Sequence, residues 1–170
     1  MRDMIEMELV GVRVELPANQ PIVLLKEREG TRYLPIWIGA VEATAIAFAL
    51  QGVETPRPLT HDLFVDVLGT LGVELVAVHV TALQDGTFYA ELKLQRGEES
   101  WTVSARPSDA IALSSRLDDV PVFAAREVLD DAGLEIEPTD GDTEEGVDAE
   151  EAVREFREFL DDVSPEDFKG

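Results

Sequence analysis

Residues 74–116, ELVAVHVTALQDGTFYAELKLQRGEESWTVSARPSDAIALSSR, decide the fold class. Glu74–Ala82 is rich in β-branched residues, and Asp85-Gly86 is a strong tight-turn signal. Thr87–Gln95 then alternates: Phe88, Ala90, Leu92 and Leu94 face one way, Tyr89, Glu91 and Lys93 the other. A second turn, RGEE, leads to Ser100–Ala105. Three consecutive strands predict an antiparallel meander. Arg106-Pro107 ends it, because proline disfavours helical geometry in the residue before it. Ser108 offers a capping oxygen, Asp109 places negative charge in a first turn, and Ile111, Ala112 and Leu113 follow. Arg116 closes a predicted helix over 106–116, where a cation suits the helix dipole.

Upstream, Arg57–Leu68 (RPLTHDLFVDVL) repeats that grammar: Arg-Pro, a capping hydroxyl at Thr60, an acid at Asp62, then an apolar run. Leu63, Phe64, Val67, Leu68 and Leu71 recur at helical spacing, and Gly72 closes the segment. Met4–Leu16 predicts a strand with a bulge at Gly11, Pro17–Pro21 a turn, and Ile22–Lys26 and Tyr33–Ile38 a hairpin across EREGT. Ala40 begins a helix that stops at Gly52. Downstream, Val120–Phe123 predicts a short buried strand and the segment to Leu129 a helical turn. Residues 138–147 have linker composition, and 148–163 carry an amphipathic pattern with Val153, Phe156, Phe159 and Leu160 on one face. Helices and strands interleave without strict alternation. That predicts an α+β fold, a mainly antiparallel or mixed sheet packed with three or four short helices, plus an acidic C-terminal helical tail. The expected organisation is a domain over 1–130, an acidic linker over 131–147 and an acidic helix over 148–170.

With 170 residues the chain is long enough to bury a core without disulfides, and it has no cysteine. Thiolate catalysis, disulfides and cysteine-ligated zinc are thereby excluded. No apolar run is long enough to span a membrane, because Pro35, Gly39 and Glu42 break the least polar window. A soluble, cytoplasmic protein is expected. Of the formal charge of −22, residues 127–170 carry −15, with 3 Lys/Arg against 18 Asp/Glu. Such a chain repels phosphate backbones, so a nucleic-acid activity needs a local basic patch, a divalent cation or a displaced tail.

Walker-type phosphate loops, GxGxxG, the nucleophile elbow and HExxH are all missing, and two histidines cannot build a histidine-rich metal centre. His61-Asp62 falls in the first turn of a predicted helix, where a neutral imidazole can act as base and free N–H groups attract anions. Without that role, His61 is an exposed first-turn residue and Asp62 an acid matching the dipole. His79, mid-strand between Val78 and Val80, is expected to pack rather than react. Asp85, Glu91 and Lys93 loosely follow the Asp…Glu-x-Lys pattern of metal nucleases, but turn chemistry and cross-strand pairing account for them equally well. Arg57, Arg106 and Arg116 differ in kind: their guanidiniums suit phosphate, or internal pairing with Asp62 and Asp109.

Four ordered blocks carry a resemblance: LPIWIGAVEATAIAFALQG (Leu34–Gly52), RPLTHDLF (Arg57–Phe64), TFYAEL (Thr87–Leu92) and RPSDAIALSSR (Arg106–Arg116). Together they resemble the bifunctional nuclease domain family, over roughly residues 4–130. The resemblance implies an α+β domain, often a homo-oligomer (dimer or larger), with plant members described as cleaving RNA and DNA. The leading expectation is therefore a nuclease assisted by Mg²⁺ or Mn²⁺ and acting on a nucleic-acid substrate. Its catalytic residues would be His61, Asp62 and Asp109; Glu42, Asp62 and Asp109 would hold metal; Arg57, Arg106 and Arg116 would bind substrate. The rival expectation is a non-catalytic binding or assembly module, its Arg-Pro helix starts serving as joints.

Overall fold

A computed structural model describes residues 2–15 and 19–135. In chain order it contains β1 (Met4–Glu15), β2 (Gln20–Glu27), β3 (Arg32–Trp37), α1 (Ala40–Leu50), α2 (Thr60–Thr70), β4 (Glu74–Gln84), β5 (Thr87–Arg96), β6 (Glu99–Ala105), α3 (Pro107–Ser114), β7 (Val122–Ala125), α4 (Arg126–Ala132) and β8 (Leu134–Glu135). The architecture is the expected α+β, with an eight-stranded mixed sheet ordered β6-β5-β4-β7-β1-β2-β3-β8. β4, β5 and β6 form the antiparallel meander. Its tight turn holds Asp85 at φ +50° and Gly86 at φ +77°, the left-handed geometry that an Asp-Gly pair adopts readily. β7 lies antiparallel to β1 and parallel to β4, and so joins the meander to the N-terminal strands. The β1–β2 register shifts between Leu9 and Gly11, where the sequence predicts a bulge.

Alternation in β5 is borne out: Ala90, Leu92 and Leu94 are buried. α1 packs on β1 and β2, α3 on β4 and β5, and the two helices touch each other. Ile46, Val78, Val80 and Ile111 are fully buried in this core. α3 is short and nearly enclosed, with Ala110, Ile111 and Ala112 without exposure. Its alanines let neighbouring elements approach from several sides, while the one isoleucine contributes about 1.5–3 kcal/mol by burial.

α2 differs. None of its residues is buried, and Leu63, Phe64, Val67 and Leu71 face solvent. The helix exists where its periodicity predicts it, yet its apolar stripe turns outward. The inward face consists of His61, Asp62, Val65 and Leu68, with His61 paired to Asp109 on α3 and Asp62 to Arg116 just past its end.

Two capping expectations need correction. α2 begins at Thr60 with Leu59 as its N-cap, and α3 begins at Pro107 with Arg106 as its N-cap; neither cap residue makes a side-chain capping bond. Proline is favoured in a first helical position, which draws the α3 cap back two residues, from Ser108 to Arg106, and leaves Ser108 buried inside the first turn. Of the linker expected over 131–147, residues 131–132 end α4, Gly133 caps it, and Leu134–Glu135 form β8, which pairs with β3. The remainder, and the helix expected over 148–170, lie outside the described residues. No helix among the described residues is long and apolar enough to cross a membrane.

Candidate active site

Three helices bring the expected residues together. Arg106 has extended backbone (φ −68°, ψ 142°), as the residue before proline must, and this starts its side chain beside the first turn of α3. From there Arg106 Nε donates to Asp109 Oδ2 at 2.7 Å, and Nη1 lies 3.0 Å from Glu42 Oε1 on α1. Asp109 Oδ1 meets His61 Nε2 on α2 at 2.9 Å. Glu42, Arg106, Asp109 and His61 are thus one continuous chain of contacts. Asp62 belongs to a second: its Oδ1 accepts from Arg116 Nε at 2.7 Å, and its Oδ2 from the Leu59 backbone N–H at 2.9 Å.

Electrostatics follow from these contacts. The Arg116 guanidinium holds the Asp62 carboxyl below the usual aspartate range, with the Leu59 N–H adding to it against a smaller opposing effect of burial. Burial pushes Asp109 upward, but hydrogen bonds from Arg106 and His61 outweigh it and leave the carboxyl lowered. An ionised Asp109 only accepts, so His61 Nε2 carries the proton in their contact. The other ring nitrogen, Nδ1, makes no hydrogen bond among the described residues. Arg106 remains 64% exposed although two carboxylates touch it, while Arg116 is 9% exposed and also donates to the Ala112 carbonyl at 2.7 Å. Its position near the end of α3 is the one expected of a C-terminal cation.

Arg57 is exposed and makes no ion pair among the described residues. His79 stacks edge-on against Phe123 at 5.3 Å, and burial lowers its pKa, as befits a packing residue. Lys93 donates to Glu91, two residues back on β5, at 2.8 Å and across to Thr102 on β6 at 3.2 Å, so the charge pair expected across strands forms within one strand. One feature the sequence reading missed is Gly39, the N-cap of α1. A Cβ there would collide with Glu42 Oε2, so the glycine makes room for the carboxylate to fold back. Its signal is a glycine three residues before an acid at a helix start.

Among the described residues, no group of three or more His, Asp or Glu side chains is placed to hold a metal ion. Glu42 and Asp109 converge on one guanidinium, and Asp62 is engaged by another. In this arrangement they do not fit a preformed Mg²⁺ or Mn²⁺ site. Within the network the side chains of His61 and Glu42 are each 16% exposed, and Arg106 is its most accessible member. A cleft of about 520 Å³ runs beneath the C-terminal half of α2, lined by Val65, Leu68, Leu75 and Leu117, and none of the network lines it.

The model of the bifunctional nuclease domain matches residues 23–137. An uncharacterized protein of Mycobacterium tuberculosis (strain H37Rv) is 53% identical over 166 residues, which is 96% of this chain and 98% of that protein. Bifunctional nuclease 2 of Arabidopsis thaliana is 32% identical over 103 residues, 58% of this chain and 31% of that protein. Bifunctional nuclease 1 of the same plant is 31% identical over 103 residues, 58% of this chain and 32% of that protein. Both plant matches fall within a chain segment that is a third or less of the plant proteins. The match of the domain model across most of the folded region carries the assignment: this chain belongs to the bifunctional nuclease domain family.

Proposed function

We propose that this chain hydrolyses phosphodiester bonds in RNA or DNA at the surface where α1, α2 and α3 meet. One observation carries the reading: the 2.9 Å contact of His61 with Asp109, whose other oxygen is held by the exposed Arg106. Asp109 fixes the imidazole tautomer with the proton on Nε2 and stabilises the imidazolium once it forms. That leaves Nδ1 to take a proton from an attacking water. Arg106 turns its unfilled donors toward a phosphate oxygen, and exposed Arg57, just ahead of α2, adds a second positive charge. Glu42 orients Arg106. Asp62 and Arg116 lock the start of α2 onto α3, and so hold His61 in place. Exposed Arg106 and Arg57 can meet the backbone of a polymer without its entering an enclosed pocket. Mg²⁺ and Mn²⁺ enter this reading as ions carried by the nucleic acid itself.

The test is cleavage of single-stranded and duplex RNA and DNA by purified full chain, with Mg²⁺, Mn²⁺ or EDTA. His61→Gln is expected to lower the rate by about 10²–10⁴-fold, the usual contribution of a general base. Arg106→Ala should mainly raise KM. Equal trace activity in wild type and His61→Gln would point to a contaminant and sink the catalytic reading.

A second reading, a non-catalytic assembly module, is favoured by the way Arg106, Arg116 and three carboxylates satisfy one another. In that case the Arg-Pro helix starts are joints between helices, and both variants lose stability without any change in turnover.

A further inference from the structure

Strand β6 is an edge strand without the usual protection. It pairs with β5 on one side only, and Glu99 to Ser104 are all exposed. Native edges are guarded by brevity, bulges, proline or charge. β6 has seven residues, its register with β5 runs unbroken from Arg96↔Glu99 to Ala90↔Ala105, and its sequence ESWTVSA contains no proline or lysine. The opposite edge, β8, is only two residues long. Trp101 (40% exposed, with the Arg96 guanidinium 5.4 Å over its ring) and Val103 (42%) lie beside buried Leu94 and Leu92 of β5.

We propose that β6 pairs with β6 of a second copy, antiparallel about a two-fold axis at Thr102, so that two sheets become one of sixteen strands. The occupant is named by the strand's own sequence. Centred on Thr102, Trp101 falls opposite the partner's Val103 and Ser100 opposite the partner's Ser104, an aromatic–β-branched pair and a hydroxyl pair of the kinds that stabilise sheets. Glu99 meets the partner's Ala105, so no like charges oppose. Just beyond the strand ends, Arg106 comes opposite the partner's Glu98, an attractive pair at the rim of the candidate active site. Neighbouring registers are worse. Centring on Trp101 sets Arg106 against the partner's Arg96, and centring on Val103 runs into Pro107, which has no N–H to donate. The partner copy thereby adds an acid next to the arginine that the nuclease reading assigns to phosphate. The interface itself rests on the fold, so an oligomer measurement and a cleavage assay can fail separately.

The absence of native cysteine makes the test clean. Thr102→Cys in the full chain faces its own copy across the axis and should give a covalent dimer under mild oxidation. Ser100→Cys alone should not, because the two sulfurs would sit four residues, about 13 Å, out of register. The double variant Ser100→Cys/Ser104→Cys should cross-link again. In sedimentation velocity the wild type should run as a dimer, and Thr102→Lys or Glu98→Lys should shift it to monomer with far-UV circular dichroism unchanged. A wild type that stays monomeric across micromolar concentrations overturns the proposal. So does equally efficient cross-linking of Ser100→Cys and Thr102→Cys, or a dimer that dissociates on Leu63→Lys/Val67→Lys and ignores the β6 variants.

Discussion

Asp62 shows how much one side chain does here. Its carboxylate caps the Leu59 N–H and also ties α2 to α3 through a nearly buried arginine. Its folded pKa lies below its unfolded one, so the pair contributes fully above the unfolded aspartate value of about 3.9 and is lost as pH falls through the lower folded value. The stability gap between wild type and Asp62→Asn, measured by urea unfolding, should therefore be widest near neutrality and close as pH falls below the ordinary aspartate range. At neutral pH Asp62→Ala should cost about 1–3 kcal/mol, because Arg116 is left short of a partner, and nearer the lower figure because Asp62 is partly exposed. Sequence alone made Asp62 a first-turn acid and Arg116 a last-turn cation. Both descriptions hold locally, but the bond between them joins residues 54 positions apart, and no local pattern encodes it.

At the scale of elements, α2 and α3 are opposites. α3 is short, rich in small residues and enclosed; α2 is longer, exposes an apolar stripe and has no more than half-buried residues on its inward face. Ile111→Ala in α3 should cost about 2–5 kcal/mol in chemical denaturation, the range for emptying a packed site. Leu63→Lys or Val67→Lys in α2 should change stability by no more than about 0.5 kcal/mol, since neither side chain leaves a core. Periodicity placed both helices, because 3.6-residue spacing is a local property. It could not say which way the α2 stripe points, since that depends on Asp109 and Arg116 being where they are. Helix starts were legible to within two residues, Arg106 and Leu59 taking the cap positions assigned to Ser108 and Thr60.

For the whole molecule, net charge governs the approach of any nucleic acid. Residues 138–170 hold 13 Asp/Glu against 3 Lys/Arg. Removing them should tighten binding to single-stranded RNA or DNA, with the larger gain at low salt, where charge acts over a longer range. Fluorescence anisotropy of the truncated and full chains at two salt concentrations measures this; matching affinities at low salt would mean that the acidic segment does not oppose binding.

The sequence by itself determined what short range physics writes: the alternating meander, the Asp-Gly turn, the bulge at Gly11, the two Arg-Pro helix starts and the α+β class. Each depends on a few neighbouring residues and their steric or hydrogen-bonding preferences. Only the tertiary structure decided that β7 joins the sheet halves, parallel to β4 and antiparallel to β1, that α2 shows its apolar face to solvent, and that His61 meets Asp109 across 48 residues of chain. Those outcomes depend on long-range pairing of strands and on which charges share a surface, and such partners are chosen by packing rather than by adjacency in the chain.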